Sequence, residues 1–288
     1  VTDFVLFARA HGLIIDALPP IGRWRRYATE DHPRKRNGAA KYLGTHGFVQ
    51  NHATMTEVAV WRPDGENVVD FESLAREAQR AQRATELGQR RAAERAEWIL
   101  AQTSLDRHEY LTAKGFGDNV LGNVWEREDA RLLVVPMRID GRVVGCQLIG
   151  KDGSKRFLTG QRTRDAVFEI GTGAPILCEG YATALSLRQA VAALKMQRSV
   201  VACFSAHNLG RVAKDRPGAF IVADNDPSGT GERVAKATGM RYWLSDRVGE
   251  DFNDFICRVG VFRASQSLRM ALYRPVASTN TASAADDG

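Results

Sequence analysis

No two cysteines in this 288-residue chain are spaced Cys-x-x-Cys, and the four present (Cys146, Cys178, Cys203, Cys257) lie far apart. That excludes a zinc ribbon and offers no disulfide framework of the kind small secreted domains use. Buried thiols in a reducing cytoplasm are expected instead. No stretch approaches the roughly 20 apolar residues that a membrane helix needs, so no membrane partner is expected. The apolar start (Val5, Leu6, Phe7) is broken by Asp3, Arg9 and His11, unlike a signal-peptide core. There is no Gly-x-x-x-x-Gly-Lys loop, and so no P-loop motor within this sequence. No internal repeat is visible. Hydrophobic residues at 44% and charged residues at 26% exclude a collagen, a coiled-coil rod and a wholly disordered chain. Lys plus Arg exceeds Asp plus Glu by only 40 to 34, for a net +6, which favours a polyanionic partner weakly.

The length suits two lobes, or one enlarged α/β domain with an appended piece. Residues 1–70 read as a small, poorly packed basic module. Helical spacing runs to about residue 18 and stops at Pro19-Pro20. A basic aromatic stretch follows (Arg23, Trp24, Arg25, Arg26, Tyr27), then Arg34-Lys35-Arg36, with a short strand near Glu57–Trp61 and turns at Asn37-Gly38 and Asp64-Gly65. Residues 71–104 read as a solvated helical linker, with a break near Gly88. Residues 131–158 read as an antiparallel meander, because Asp140-Gly141 joins two apolar runs. From residue 175 short apolar strands alternate with helices, which implies a parallel sheet covered on both faces. Residues 263–288 read as a C-terminal helix and a disordered tail.

Three acidic clusters follow strands in this last region. Glu179 follows Ile176-Leu177-Cys178, Asp224 and Asp226 follow Ala219–Ala223, and Asp251 and Asp254 come after the strand around Trp243. The C-terminal ends of parallel strands share one edge, where ligands bind. Clustered carboxylates repel one another unless a cation lies between them. Oxygen ligands without nearby His or Cys suit Mg²⁺ or Mn²⁺, and such ions suit phosphoryl transfer. The plainer reading of an acid at a strand end is a helix N-cap, to which Asp224 and Asp226 are both open. A calcium loop starting at Asp224 is excluded, since position 235, where Glu is needed, is Ala.

Glu179-Gly180-Tyr181-Ala182-Thr183, Val222-Ala223-Asp224-Asn225-Asp226 and Gly249-Glu250-Asp251-Phe252-Asn253-Asp254 resemble the Toprim domain of bacterial-type primases, topoisomerases and some nucleases. Upstream, Tyr110–Phe116, Val135–Arg138 and Gly150–Leu158 resemble the basic subdomain that precedes Toprim in primases. The likeness covers about residues 105–260 and is nearest to primases of plasmids, phages and other mobile elements. It implies an α/β fold: a Rossmann-like parallel Toprim sheet over 175–262 with helices on both faces. A mixed α+β primase-like subdomain over 105–174 and the small N-terminal module precede it.

The resemblance also implies roles. Glu179 would be a general base or metal-shaping acid, and Asp224 and Asp226 would hold Mg²⁺ with Asp251 or Asp254. Lys151, Lys155 and Arg156 would face nucleoside triphosphates and the growing RNA, with Lys114 and Arg138 as further contacts. Cellular-type primases usually carry a zinc module, whereas no Cys precedes Cys146 here, so no zinc is expected. Arg23, Trp24, Arg34, Lys35 and Arg36 would take the single-stranded DNA instead, as cations interleaved with rings can. The expected activity is RNA primer synthesis in the cytoplasm, with a separate replicative helicase as a candidate partner. A Toprim nuclease and a non-catalytic nucleic-acid-binding protein are the alternatives.

Overall fold

The computed structural model describes residues 3–63 and 71–273. The Asp64-Gly65 turn and the tail beyond Tyr273 lie outside the described residues. The chain divides into two compact units, Val1–Glu86 and Leu87–Gly288.

The first unit has a core of its own. Helix α1 (Asp3–Ala10) buries Phe4, Val5 and Ala8. They join Leu13, Ile15, Ala40 and Val49 against an antiparallel sheet ordered β1 (Arg25–Tyr27), β2 (Gly38–Tyr42), β3 (Gly47–Asn51), β4 (Ala59–Trp61). The module is therefore better packed than its composition implied. Helix α1 also ends earlier than residue 18. Gly12 adopts φ 77° and the Leu13 amide returns to the Ala8 carbonyl (3.2 Å), which closes the helix. Asn37-Gly38 is not a hairpin turn either. Gly38 opens β2 opposite both Tyr27 and Asn51, and a Cβ there would lie 2.7 Å from Leu13 Cγ. Its lack of a side chain serves close packing.

Helix α2 (Phe71–Ala101) runs unbroken through Gly88 and contains the boundary between the units. Its last third is not a solvated strut. Ala96 and Ile99 pack with Trp125, Val134 and Cys146 on one face of a second antiparallel sheet. That sheet runs β5 (Ser104–Asp106), β6 (Gly122–Glu126), β7 (Arg131–Ile139), β8 (Arg142–Ile149), β9 (Lys155–Phe157), with α3 (Glu109–Ala113) between β5 and β6. The expected meander is present. Asp140 (φ 49°) and Gly141 (φ 78°) both take the positive φ of a tight hairpin turn. Alternation along β7 sends Val134 to α2, and Leu133 and Val135 to the opposite face. There they meet Tyr110, Leu111, Phe116 and Tyr181, so this sheet packs on the α/β layer that follows.

The third sheet is ordered β10 (Phe168–Ile170), β12 (Arg198–Ala202), β11 (Ala174–Cys178), β13 (Phe220–Val222), β14 (Tyr242–Trp243). Strands β11 to β14 are parallel, and β10 is an antiparallel edge absent from the expected pattern. Ile176, Val200 and Phe220 point to α4 (Tyr181–Ala193) and α7 (Phe252–Tyr273). Leu177, Val201 and Ile221 point to α5 (Ala206–Lys214) and α6 (Thr230–Ala237). Both faces are buried, which is why these strands read as unbroken apolar runs. Each fully buried aliphatic side chain contributes about 1.5–3 kcal/mol. The sheet is thus a rigid floor for whatever stands at its C-terminal edge. Cys146, Cys178 and Cys203 are buried free thiols, and Cys257 is exposed. Among the described residues no helix is long and apolar enough to cross a membrane.

Candidate active site

The parallel sheet brings its acids to one edge. Glu179 directly follows β11, and its carbonyl accepts from the Phe204 amide beyond β12 (2.7 Å). Asp224 stands two residues beyond the end of β13. The Asn225 amide reaches the Glu250 carbonyl (3.3 Å), which ties that loop to the segment entering α7. Residues 45 positions apart in sequence therefore meet, as their placement after parallel strands requires.

The acids differ in how they are satisfied. Asp226 caps α6: its carboxylate accepts from the amides of Gly231 (3.0 Å) and Ser228 (2.9 Å), and from the Ser228 hydroxyl. Those donors, the Gly231 amide foremost, hold it down to about 2. Asp251 caps α7. Its Oδ1 accepts from the Asp254 amide (2.8 Å), and Asp254 Oδ2 accepts in return from the Asp251 amide (3.4 Å). That is a reciprocal box like those that start many helices. Asp254 also pairs with Lys114 (3.3 Å). The N-cap reading thus holds for Asp226 and Asp251, and not for Asp224.

Asp224 is the exception. Its Oδ1 is buried without a hydrogen-bond partner among the described residues. Burial, then the charges of Glu179 and Asp251, push its carboxyl up to about 8 against the pull of Lys155. Burial, then Asp226, also raises Glu179, while a hydrogen bond from the Ala206 backbone opposes. Gly231 is needed beside it, because a Cβ there would lie 2.3 Å from the Asp224 carbonyl oxygen.

The basic subdomain reaches this edge through particular residues. Lys155 Nζ sits 5.9 Å from the centre of the Tyr110 ring, and Phe157 meets Phe204 edge to face at 6.3 Å. Lys155 and Phe157 therefore point toward the carboxylates. Arg156, between them on β9, points to the other face, opposite Leu148. Lys151 lines a separate cavity of about 500 Å³ with Arg127 and Arg131. Arg138 donates to the Gly141 carbonyl in its own hairpin turn (2.9 Å). Trp24, half-exposed, lies 6.3 Å from the Phe48 ring in the first unit. Arg23, Arg34, Lys35 and Arg36 belong to that unit too.

Four residues at this edge were not singled out from sequence. Tyr110 carries a buried, unpartnered hydroxyl, pushed up to about 12 by burial and then by Asp251, Tyr181 and Asp254. Asn253 donates to the Lys114 carbonyl and the Ser186 hydroxyl, both at 2.9 Å, and so joins the two sheets. Its Oδ1 is buried and unpartnered. Phe204 takes φ 66°, a strained value for a bulky residue, and Gly231 makes room for Asp224. Tyr110 and Asn253 both stand inside the stretches that carry the resemblance, so a polar group amid apolar neighbours was the available signal. The backbone of Phe204 leaves no trace in composition.

The fit to a metal can be tested on these facts. Among the described residues no three His, Cys, Asp or Glu side chains could hold a metal ion by themselves. A closed protein cage is therefore excluded there. Mg²⁺ seldom uses one; it binds through one or two carboxylates and completes its shell with water and substrate phosphates. An orphaned buried carboxylate oxygen with two acids pressing on it fits that open mode.

Residues 174–261 match the family model of the Toprim domain. Two solved structures resemble the chain remotely. One is a DNA primase domain from Pseudomonas aeruginosa, 17% identical over 49% of this chain and 55% of that one, with a TM-score of 0.32. The other is the Escherichia coli primase catalytic core, 14% identical over 66% of this chain and 75% of that one, with a TM-score of 0.35. This chain thus spans 55% of the length of the first. The α/β architecture expected from the strand and helix rhythm is the one observed, and the Toprim resemblance holds for the stretch that carries the acids.

Proposed function

We propose that this chain is a primase: it joins nucleoside triphosphates into short RNA primers on single-stranded DNA. The observation that carries the reading is the unpartnered Asp224 oxygen, set among Glu179, Asp226 and Asp251 and faced by Lys155. A bound Mg²⁺ or Mn²⁺ would supply the positive charge that a triphosphate and clustered carboxylates need in order to approach. Asp224 and Asp226 would hold it, with Asp251 or Asp254 as a further ligand. Lys155 steadies the triphosphate and Lys114 lies beside it, and Lys151, Arg156 and Arg138, which turn away from the acids, give template and product a basic surface farther from the reaction.

The 3′-hydroxyl oxygen forms a bond to the α-phosphorus, and the bond from that phosphorus to the pyrophosphate oxygen breaks. Glu179, raised by burial, takes the hydroxyl proton. Arg23 and Trp24 bind the template in place of a zinc module. The functional division we propose is a basic module over 1–70, a linker over 71–104, a basic subdomain over 105–174, the Toprim domain over 175–262 and a C-terminal helix and tail over 263–288. A mobile element's replication in the cytoplasm, with a separate helicase, is the setting proposed from the sequence resemblance.

The test is incubation of the purified protein with single-stranded DNA, labelled nucleoside triphosphates and Mg²⁺ or Mn²⁺, beside Glu179→Ala. Short products from the unmodified protein alone are expected. Degraded template without products would make it a nuclease, and neither outcome would make it a binder. Normal yield from Glu179→Ala would overturn the assigned roles.

A further inference from the structure

A cavity of about 400 Å³ lies in the first unit between β1 and the loop ending at Arg36. Arg25, Arg26, Arg34, Lys35 and Arg36 line it, together with Tyr27, and no carboxylate does. Several arginines of the second unit are answered by an acid: Arg131, Arg216 and Arg258 each meet one within about 3 Å. None of the five cavity cations is ion-paired among the described residues. The nearby Asp31 is engaged, accepting from Asn51 (3.2 Å) and bonded to His32 (2.9 Å). Like charges converging on one hollow repel, and a bound polyanion removes that cost. Strand β1 also ends the sheet order, and its residues line this hollow.

Size decides between polyanions. A sphere of this volume is about 9 Å across. A nucleic-acid strand carries one charge per roughly 3.4 Å in a duplex, and more thinly when extended. A backbone crossing the cavity at that spacing would bring about three charges, strung along its path, and leave two of the five cations unanswered. A triphosphate brings about four negative charges in one compact group, which matches five converging cations more closely. We propose that this cavity is an oligophosphate site, taking the triphosphate of a free nucleotide or of a 5′-triphosphorylated RNA end. It divides the basic surface of this unit: Arg23 and Trp24 stay with the template, and the cavity takes the compact anion. The site goes beyond the primase reading and does not need its metal.

The test uses the full chain in EDTA, so that synthesis and binding fail separately. A labelled 5′-triphosphorylated RNA oligonucleotide is titrated by fluorescence anisotropy, then competed with tripolyphosphate, ATP, 5′-hydroxyl RNA and single-stranded DNA. Tripolyphosphate is expected to compete. The Arg34→Ala/Lys35→Ala/Arg36→Ala variant, checked for fold by circular dichroism, should weaken tripolyphosphate by about tenfold or more and single-stranded DNA by less than about threefold. Arg25→Ala/Arg26→Ala, which approaches the cavity from the strand, should do the same. ATP competing as well as tripolyphosphate identifies the free nucleotide. Weak ATP with a preference for 5′-triphosphate over 5′-hydroxyl RNA identifies the RNA end. Failure of tripolyphosphate to compete overturns the site. So do equal losses for tripolyphosphate and DNA, which would mark a backbone ridge. Unchanged binding in both variants overturns it too, leaving cations that merely guard a sheet edge.

Discussion

Two groups of carboxylates in the second unit have opposite fates. Asp106, Glu109 and Glu126 surround Arg131, which reaches them at 2.5, 3.1 and 3.0 Å. With that cation among them, Asp106 and Glu109 are held below the usual carboxylate range, each chiefly by a backbone amide and further by Arg131. Glu179 and Asp224 stand at the edge of the parallel sheet with no such guanidinium between them, and both are pushed up. The first group is complete as folded. The second is buried and mutually repelling, the electrostatic state common at functional sites. Beside it, Arg258 neutralises Asp246 and Glu250, at 2.7 and 2.6 Å. Cations were thus available to this neighbourhood and were placed elsewhere.

The largest expected effect is on synthesis. Asp224→Asn keeps the shape and removes the charge, and should lower primer yield on the order of 10²–10³-fold. Arg131→Gln, in the completed group, should leave yield unchanged. Lys155→Ala should cost about tenfold, the worth of roughly 1.4 kcal/mol. Lys151→Ala, which faces another cavity, should cost less than about twofold. Equal losses at both lysines would mean that the separation of the acidic edge from the Lys151 cavity has no part in the reaction.

Stability effects are smaller and opposite in sign. A carboxylate raised on folding favours the folded state only while protonated. Its contribution is full below the ordinary carboxylate range, near pH 4, and is lost as pH rises toward about 8. Metal-free Asp224→Asn should therefore gain melting temperature over the unmodified protein as pH rises from about 4 to about 8. A constant difference across that range would remove the claim of a strained carboxylate. Smallest of all, Arg131→Gln should lower the melting temperature by about 2–4 °C near neutral pH, because three acids then face one another.

Much of this was legible in the sequence. Apolar runs too short for helices, spaced by helical stretches, announce a sheet buried on both faces, and Asp140-Gly141 marks the hairpin of the antiparallel sheet before it. The acids at strand ends follow from the same rhythm. What the sequence hid is what depends on tertiary company. Asp226 and Asp251 look like Asp224 on the page, yet two of them are satisfied by helix amides and one is not. Lys155 and Arg156 are neighbours, and only strand alternation about a known face separates them. The helical spacing near the start ran past Ala10 because a single glycine with φ 77° ends α1, and such a turn is decided by the carbonyls around it. Strand β10 has three residues and pairs antiparallel at an edge, too short to announce itself.

Asp224 would take up a divalent cation, whereas the acids around Arg131 are already balanced by its guanidinium. Thermal unfolding at about pH 8, where Asp224 is losing its proton, tests it most directly, with and without Mn²⁺. The account predicts that Mn²⁺ raises the melting temperature of the unmodified protein and of Arg131→Gln by several degrees, and leaves Asp224→Asn unmoved. An equal rise in Asp224→Asn, or none in the unmodified protein, would contradict it.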